Sequence, residues 1–334
     1  MRFSPALSAA LTGHFFRNAL RGQKRFPLVL MLEPTHRCNL SCAGCDRIRL
    51  YGSGHSRDLT LGECLEAALD SKAPVVTVTG GEPLLYGGLK ELLDRLIRMK
   101  RHVYLCTNGL LAAAFVDDYG PHPRLTLSFH IDGMEETHDR ISGLPGTFKK
   151  GMEALIHAKK RGFRVCTNTS VYRRTKTAEL IELFSLLTRS RVDGILVAPA
   201  FGYESVTDDI FLKREEVAEK FRELRAMIHR FPMMSTPLYL DFLEGKTQMD
   251  CTPWGNPTRN PLGWKSPCYL ITDTYYSTFQ DFMKRTGWDD YGPGRDERCR
   301  NCMVHSGFEP TAMREGFTRP RKMLRLLAWN MRGR

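Results

Sequence analysis

The sequence predicts an α/β fold: a partial parallel (β/α)6 barrel with a cysteine-containing C-terminal extension. Three observations carry that prediction. Short β-branched runs alternate with helical patterns from residue 28 to about 230. The glycines and polar residues with unusual spacing gather just after the runs, where parallel α/β folds place ligands. Beyond residue 230 the texture changes to turn-rich, aromatic sequence such as Cys251-Thr252-Pro253-Trp254-Gly255. The alternation alone is met equally by an open doubly wound sheet, and right-handed crossovers are expected in either case.

In chain order the strands fall at residues 28–33, 75–79, 103–107, 125–131, 164–168 and 195–198, each bounded by Gly, Pro, Asp or Asn. Between the first two, Thr60-Leu61-Gly62-Glu63 is a capping-box signature that opens a helix. Leu89, Leu92, Leu93, Leu96 and Ile97 form one helical face, and Phe148, Met152, Leu155 and Ile156, then Leu180, Ile181, Phe184 and Leu187, repeat the pattern. The chain divides into a basic amphipathic segment (1–24), the barrel (25–230), the cysteine-rich extension (231–316) and a basic tail (317–334).

The 334 residues are 42% apolar and 26% charged, an ordinary globular composition. No apolar run approaches the roughly 18 residues of a spanning helix. There is no internal repeat, GxGxxG, Walker loop or HExxH. The net charge is +12, and the two ends carry eleven of those charges, including Arg2, Arg332 and Arg334. The nearly neutral body argues against a nucleic-acid groove. Each end also has apolar teeth: Leu7, Leu11 and Phe15 at one, and Met323, Leu324, Leu327, Ala328 and Met331 beside Trp329 at the other. Two readings stand: helices packed on their own domain, or helices lying in the headgroup layer of a membrane. A signal peptide is set aside because the cysteines point to a reducing compartment, so a cytoplasmic protein peripheral on the inner face of the membrane is expected.

Ten cysteines are too few for a disulfide scaffold and too patterned for chance. Cys38, Cys42 and Cys45 follow the first strand with three and two residues between them. Three thiolates on a tight loop can hold three irons of a 4Fe-4S cluster and leave the fourth iron open. Zinc wants a fourth ligand, and a bacterial ferredoxin run is spaced differently. Cys251, Cys268, Cys299 and Cys302 are enough for an auxiliary iron–sulfur cluster or a structural zinc, and Cys64, Cys106 and Cys166 stand alone. The second strand ends in Gly80-Gly81-Glu82-Pro83 and the third in Cys106-Thr107-Asn108. The fourth alternates, with Ser128, His130 and Asp132 on its polar face, and Asn168 follows on the fifth. A polar strand face means a ligand or solvent.

A CxxxCxxC loop followed by a strand ending in GGEP resembles the radical S-adenosylmethionine (SAM) superfamily. The resemblance implies that Cys38, Cys42 and Cys45 bind the cluster, with SAM chelating the open iron. Glu82 and the backbone of Gly80 and Gly81 would hold the SAM amino group. Pro83, Thr107, Asn108, Ser128, His130, Asp132 and Asn168 complete the candidate cofactor-binding set. Gly44 stands where the common superfamily loop has an aromatic residue.

Arg25-Phe26-Pro27-Leu28, Val103-Tyr104-Leu105-Cys106-Thr107-Asn108, Cys251-Thr252-Pro253-Trp254 and Cys302-Met303-Val304-His305 look more closely like adenosylhopene transferase of hopanoid biosynthesis. That likeness implies addition of a 5′-deoxyadenosyl radical to the alkene of hopene, a hydrophobic polycyclic triterpene. It also implies Cys106 as hydrogen-atom donor and an external electron donor of flavodoxin or ferredoxin type. Ser306 stands where that family has a cysteine, which leaves the acceptor open. Two other readings compete: a radical SAM peptide maturase with an auxiliary cluster, and a non-enzymatic iron–sulfur electron carrier or zinc-stabilised module.

Overall fold

The computed structural model describes residues 3–51 and 57–331, apart from the side chains of Ile48 and Leu50. Arg2, Arg332 and Arg334 of the basic ends lie outside the described residues. The six expected strands are β1 Val29–Thr35, β2 Val75–Gly80, β3 His102–Thr107, β4 Leu125–His130, β5 Arg164–Val171 and β6 Gly194–Pro199. The extension adds β7 Thr258–Asn260, β8 Gly263–Pro267 and β9 Thr272–Tyr276.

The first helices are α1 Pro5–Leu20, α2 Arg47–Tyr51, α3 Leu61–Ser71, α4 Leu89–Arg98, α5 Ala112–Asp118 and α6 Glu135–Ser142. They are followed by α7 Thr147–Lys160, α8 Thr177–Arg189, α9 Arg214–Ile228 and α10 Pro237–Leu243. α11 Phe279–Arg285, α12 His305–Thr318 and α13 Pro320–Met331 complete the set. α3 opens on the expected capping box, Thr60 Oγ1 accepting from the Glu63 N–H while the Glu63 carboxylate accepts from the Thr60 N–H.

All nine strands form one open sheet in the order β6-β5-β4-β3-β2-β1-β7-β8-β9. β6 through β7 pair in parallel and β8 and β9 antiparallel, so the fold is a partial barrel extended past β1 by the C-terminal region. Side chains alternate across a strand, and the two faces of this sheet differ sharply. Leu30, Leu32, Val76, Val78, Val103 and Leu105 pack with Leu92, Leu93 and Leu96 of α4 and their counterparts on the other helices. On the other face the register aligns Met31, Thr77, Tyr104, Thr126 and Arg164 in one row. Above it run Cys106, Ser128 and Cys166, then His130, Asn168 and Leu196. Thr126 and Ser128 are buried, so the deeper rows of this polar face line the interior of the barrel, while His130 at the strand end stays partly exposed.

The terminal helices correct one expectation. Leu7 and Leu11 are buried against Val29, Val75 and Tyr104, and Phe15 against Phe26 and Leu28. The N-terminal apolar teeth therefore cover the end of the sheet where β1, β2 and β3 begin, and they are unavailable to a membrane. Trp254 and Trp264 are also core: Trp254 packs on Phe26 under Arg314, and Trp264 on Phe279 and Phe282.

Candidate active site at the carboxyl ends of the strands

The loop that leaves β1 carries Cys38, Cys42 and Cys45, all half-buried and free of disulfides. It is anchored on three sides. The Ala43 N–H donates to the Ile141 carbonyl of α6 at 2.8 Å, the Cys45 N–H closes a turn onto the Cys42 carbonyl, and the Arg47 guanidinium donates to the His36 carbonyl. A Cβ on Gly44 would lie 2.5 Å from the phenol oxygen of Tyr172, a buried residue just past β5. The aromatic ring missing from position 44 is thus supplied from another strand, and glycine is what admits it. Burial pushes the Cys42 thiol up to about 12, with Cys45 adding to the effect, and raises Cys38 as well. Such thiols stay protonated unless a metal draws them into thiolates. Three enclosed sulfurs on one loop therefore fit an iron–sulfur cluster.

Gly80 and Gly81 have a structural reason to be glycine. A Cβ at Gly80 would meet the Thr35 carbonyl oxygen at 2.5 Å, and one at Gly81 the Arg37 carbonyl oxygen at 1.8 Å. Gly80 also has φ +107°, a region that favours glycine. The Gly81 and Glu82 N–H groups donate to the Thr35 and Arg37 carbonyls, welding the end of β2 to the start of the cysteine loop.

Glu82 is buried. Its carboxylate accepts from Thr107 Oγ1 at 2.9 Å, the Asn108 N–H at 2.9 Å and the Leu84 N–H at 3.1 Å. It clamps the end of β3 and the single turn that begins at Pro83. The side chain expected to face a SAM ammonium is thus already held by three protein donors. Asn108 continues the chain of contacts, its Nδ2 donating to Asn39 Oδ1 of the cysteine loop at 2.7 Å.

At the ends of β4 and β5 the polar residues form one network. A His130 ring nitrogen lies 3.0 Å from the Asp132 carboxylate, the other 3.3 Å from Asn168 Nδ2, and Asp132 Oδ1 accepts from the Ser170 N–H at 2.7 Å. Burial pulls the His130 pKa down, but Asp132 outweighs it and the net shift is upward. Ser128 does not join this group. It sits one row deeper, between Cys106 and Cys166, and hydrogen-bonds both thiols. Burial pushes Cys106 up to about 12 and Cys166 to about 11, so both are S–H at neutral pH.

Sequence reasoning passes over three residues near this site, Tyr172, Asn39 and Glu33, and leaves Tyr269 open as core or substrate wall. Tyr172 and Asn39 brace the cysteine loop as described. Tyr269 reaches in from the extension, hydrogen-bonds Thr79 and has Glu33, Cys45 and Cys106 as charged or ionisable neighbours. Glu33 is a buried carboxyl on β1 whose pKa burial raises against the opposing pull of Lys265 and Asn260. Its signal was visible as the one charge in an otherwise apolar run.

The second cysteine set is also brought together. Cys251, Cys268, Cys299 and Cys302 line a single cavity walled by Phe201, Leu270 and Ile271, and Ser306 lines it too. The Ile271 N–H donates to Cys268 Sγ at 3.3 Å, and backbone N–H groups face Cys299 and Cys302. Gly307 leaves room for Cys251 Sγ, which would lie 2.5 Å from a Cβ there. Among the described residues no three or more His, Cys, Asp or Glu side chains converge as around a single metal ion.

This combination of partial barrel, three-cysteine loop and glycine-rich strand end fits an iron–sulfur site that uses SAM. Residues 32–187 match the Radical SAM superfamily and form a radical SAM domain, whose cofactors are a 4Fe-4S cluster and SAM. Residues 195–326 match a domain of unknown function, DUF3463. The AdoMet-dependent heme synthase of Methanosarcina barkeri is 32% identical over 164 residues, 46% of this chain and 47% of that one. The subtilosin biosynthesis protein AlbA of Bacillus subtilis is 25% identical over 83% of this chain and 65% of its own length. The PqqA peptide cyclase of Gluconobacter oxydans is 25% identical over 83% of this chain and 82% of its own. The chain thus spans about half to two thirds of the first two. Streptococcus suis SuiB bound to its precursor peptide SuiA shares the fold, with a TM-score of 0.64 at 14% identity over 91% of this chain and 76% of that one.

Proposed function

We propose that the enzyme adds a 5′-deoxyadenosyl group to an alkene and that Cys106 supplies the hydrogen atom that ends the reaction. In this reading Cys38, Cys42 and Cys45 hold the cluster, and the strand ends around Glu82, Thr107, Asn108, His130, Asp132 and Asn168 shape the SAM pocket. Bound there, the cluster and SAM supply a 5′-deoxyadenosyl radical on reductive cleavage. The observation that carries the reading is the placement of Cys106. Its thiol is protonated, faces the barrel interior one residue below the Thr107–Glu82 clamp, and is oriented by Ser128. Addition to a C=C bond leaves the unpaired electron on the acceptor's carbon. Transfer of the Cys106 hydrogen atom forms a C–H bond stronger than the S–H bond broken, and an electron and a proton from a flavodoxin- or ferredoxin-type donor restore the thiol.

Hopene is the acceptor that the sequence resemblance implies, and adenosylhopane the product. The test is anaerobic turnover of reconstituted enzyme with SAM, reductant and hopene, followed by mass spectrometry. Cys106→Ala is expected to consume SAM at a similar rate while losing or scrambling the saturated product. The same stereoisomer formed at the wild-type rate would remove Cys106 from the role.

A second reading has its own support. The AlbA and PqqA cyclase matches, the SuiB fold and the four-cysteine cavity favour a peptide maturase whose second cluster sits in the extension. In that case Cys251, Cys268, Cys299 and Cys302 would bind an auxiliary iron–sulfur cluster, and hopene would leave SAM uncoupled. Screening acceptors with wild-type enzyme separates the two, because only one class gives a product joined to, or modified by, the adenosyl radical.

A further inference from the structure

The covered teeth of α1 leave a different stripe outside. Ala6, Ala9, Gly13, Phe16 and Leu20 follow one another at helical spacing on its exposed side, with Phe16 50% and Leu20 89% exposed. On α13, Leu324, Leu327 and Met331 do the same at 63%, 50% and 66%. Half of the large apolar side chains that are exposed among the described residues lie on these two helices.

The two stripes belong to one surface. The Phe3 N–H donates to Asn330 Oδ1 at 2.8 Å, Asn330 Nδ2 donates to Ser8 Oγ at 3.2 Å, and the Phe3 and Trp329 rings meet edge to face. At the other end Phe15 stacks on Phe317 with centroids 4.7 Å apart, just before α13 starts. The start of α1 therefore meets the end of α13, while the far half of α1 packs on the end of α12 from which α13 continues, so the two helices run antiparallel on one side of the molecule.

Charge singles out the occupant. Residues 3–25 and 319–331 contain no acid. The basic groups that turn inward are compensated, Arg325 by Asp241 and Lys322 by Glu315. Arg17, Arg21, Lys24, Arg319 and Arg321 are exposed and make no ion pair among the described residues. A second copy docked by the same face would set these charges against each other, and nucleic acid has no use for an aliphatic stripe. An anionic lipid surface satisfies both features at once.

We propose that the paired faces of α1 and α13 are a membrane-docking platform for anionic lipid, at the end of the sheet where β1, β2 and β3 begin. The platform lies opposite the strand ends that carry the site, and it does not depend on which acceptor the enzyme takes. The basic rim draws the protein to the headgroups, and the Phe16, Leu20, Leu324, Leu327 and Met331 side chains enter the layer beneath.

The test is flotation of the full reconstituted chain with phosphatidylcholine vesicles, either plain or containing about a third phosphatidylglycerol. Binding is expected only to the anionic vesicles and should weaken in about 0.5 M salt. L324S/L327S/M331S and R17Q/R21Q/K24Q should each lower the bound fraction at least tenfold by the proposal, with melting temperatures unchanged because every substituted side chain is exposed. No flotation of the wild type, or equal flotation of both variants, overturns the platform. So does a dimer in sedimentation that the apolar variant dissociates, because the face would then be a contact between copies.

Discussion

The two cysteine sets are assembled by opposite means. Cys38, Cys42 and Cys45 sit on one loop, brought together by proximity in the chain and held by backbone bonds to α6 and to the end of β2. Cys251, Cys268, Cys299 and Cys302 come from segments before β7, after β8 and before α12, and meet only because β7–β9 fold back onto β1. The first set is therefore local to one loop, and the second joins segments far apart in the chain. A metal in the first should govern chemistry, and one in the second should govern folding as well.

The largest effect that would break this contrast is on activity. Cys38→Ala, Cys42→Ala and Cys45→Ala should each lower SAM cleavage by at least about a hundredfold, since losing a ligand exceeds the 10- to 100-fold cost of losing a ligand's support. Their melting temperatures should stay near wild type. A variant that keeps full iron and full 5′-deoxyadenosine release would show that the loop does not hold the cluster.

Next comes the extension. In a C38A/C42A/C45A background about four irons per chain should remain, and adding Cys268→Ser should remove them and lower Tm by roughly 5 °C, a couple of kcal/mol at 2–4 °C each. Iron analysis and calorimetry decide it. Zinc in place of iron would make the site structural only, and neither metal would leave four free thiols.

The same contrast explains what could be read from the chain. The six parallel strands and the three-cysteine loop are local patterns, a period of two and a spacing, and both lie where they were expected. β7–β9 were missed because they are three to five residues long and include Gly263 and Pro267, which mark turns. The α1 and α13 patterns gave helices correctly, but a pattern cannot say what a stripe faces, and Leu7, Leu11 and Phe15 face the sheet. The sequence places Glu82 just after β2 and Ser128 on β4, and both lie there. Their partners, Thr107 and Asn108 for one and two thiols for the other, come from neighbouring strands and so needed the register.

A smaller test sharpens the account of the first set. Gly44→Ala should strain the cysteine loop against Tyr172, whose ring is enclosed and cannot retreat freely. Overpacking of this kind costs about 1–3 kcal/mol. Tyr172→Ala should relieve it, so the double variant should recover at least about 0.5 kcal/mol relative to the sum of the singles. Strict additivity in denaturant unfolding would mean that the ring and the loop are not in contact.

The smallest effect concerns Glu309 on α12, which packs on α10. Burial raises its carboxyl from 4.5 to about 7, against the Thr236 N–H that donates to Oε1 at 2.8 Å. A raised folded-state pKa means that the folded protein prefers the neutral acid. The stabilisation is fully present below pH 4.5 and is lost as pH rises through about 7. The side chain is only half-buried, so the change should be about 1–2 kcal/mol, below what the full shift would give. Glu309→Gln keeps an acceptor for the Thr236 N–H and cannot ionise. It should leave Tm unchanged near pH 5, raise it by a few degrees at pH 8 and flatten the slope between them. An identical slope in wild type and variant would show that Glu309 does not control the pH dependence, and that the packing of α12 on α10 tolerates its charge.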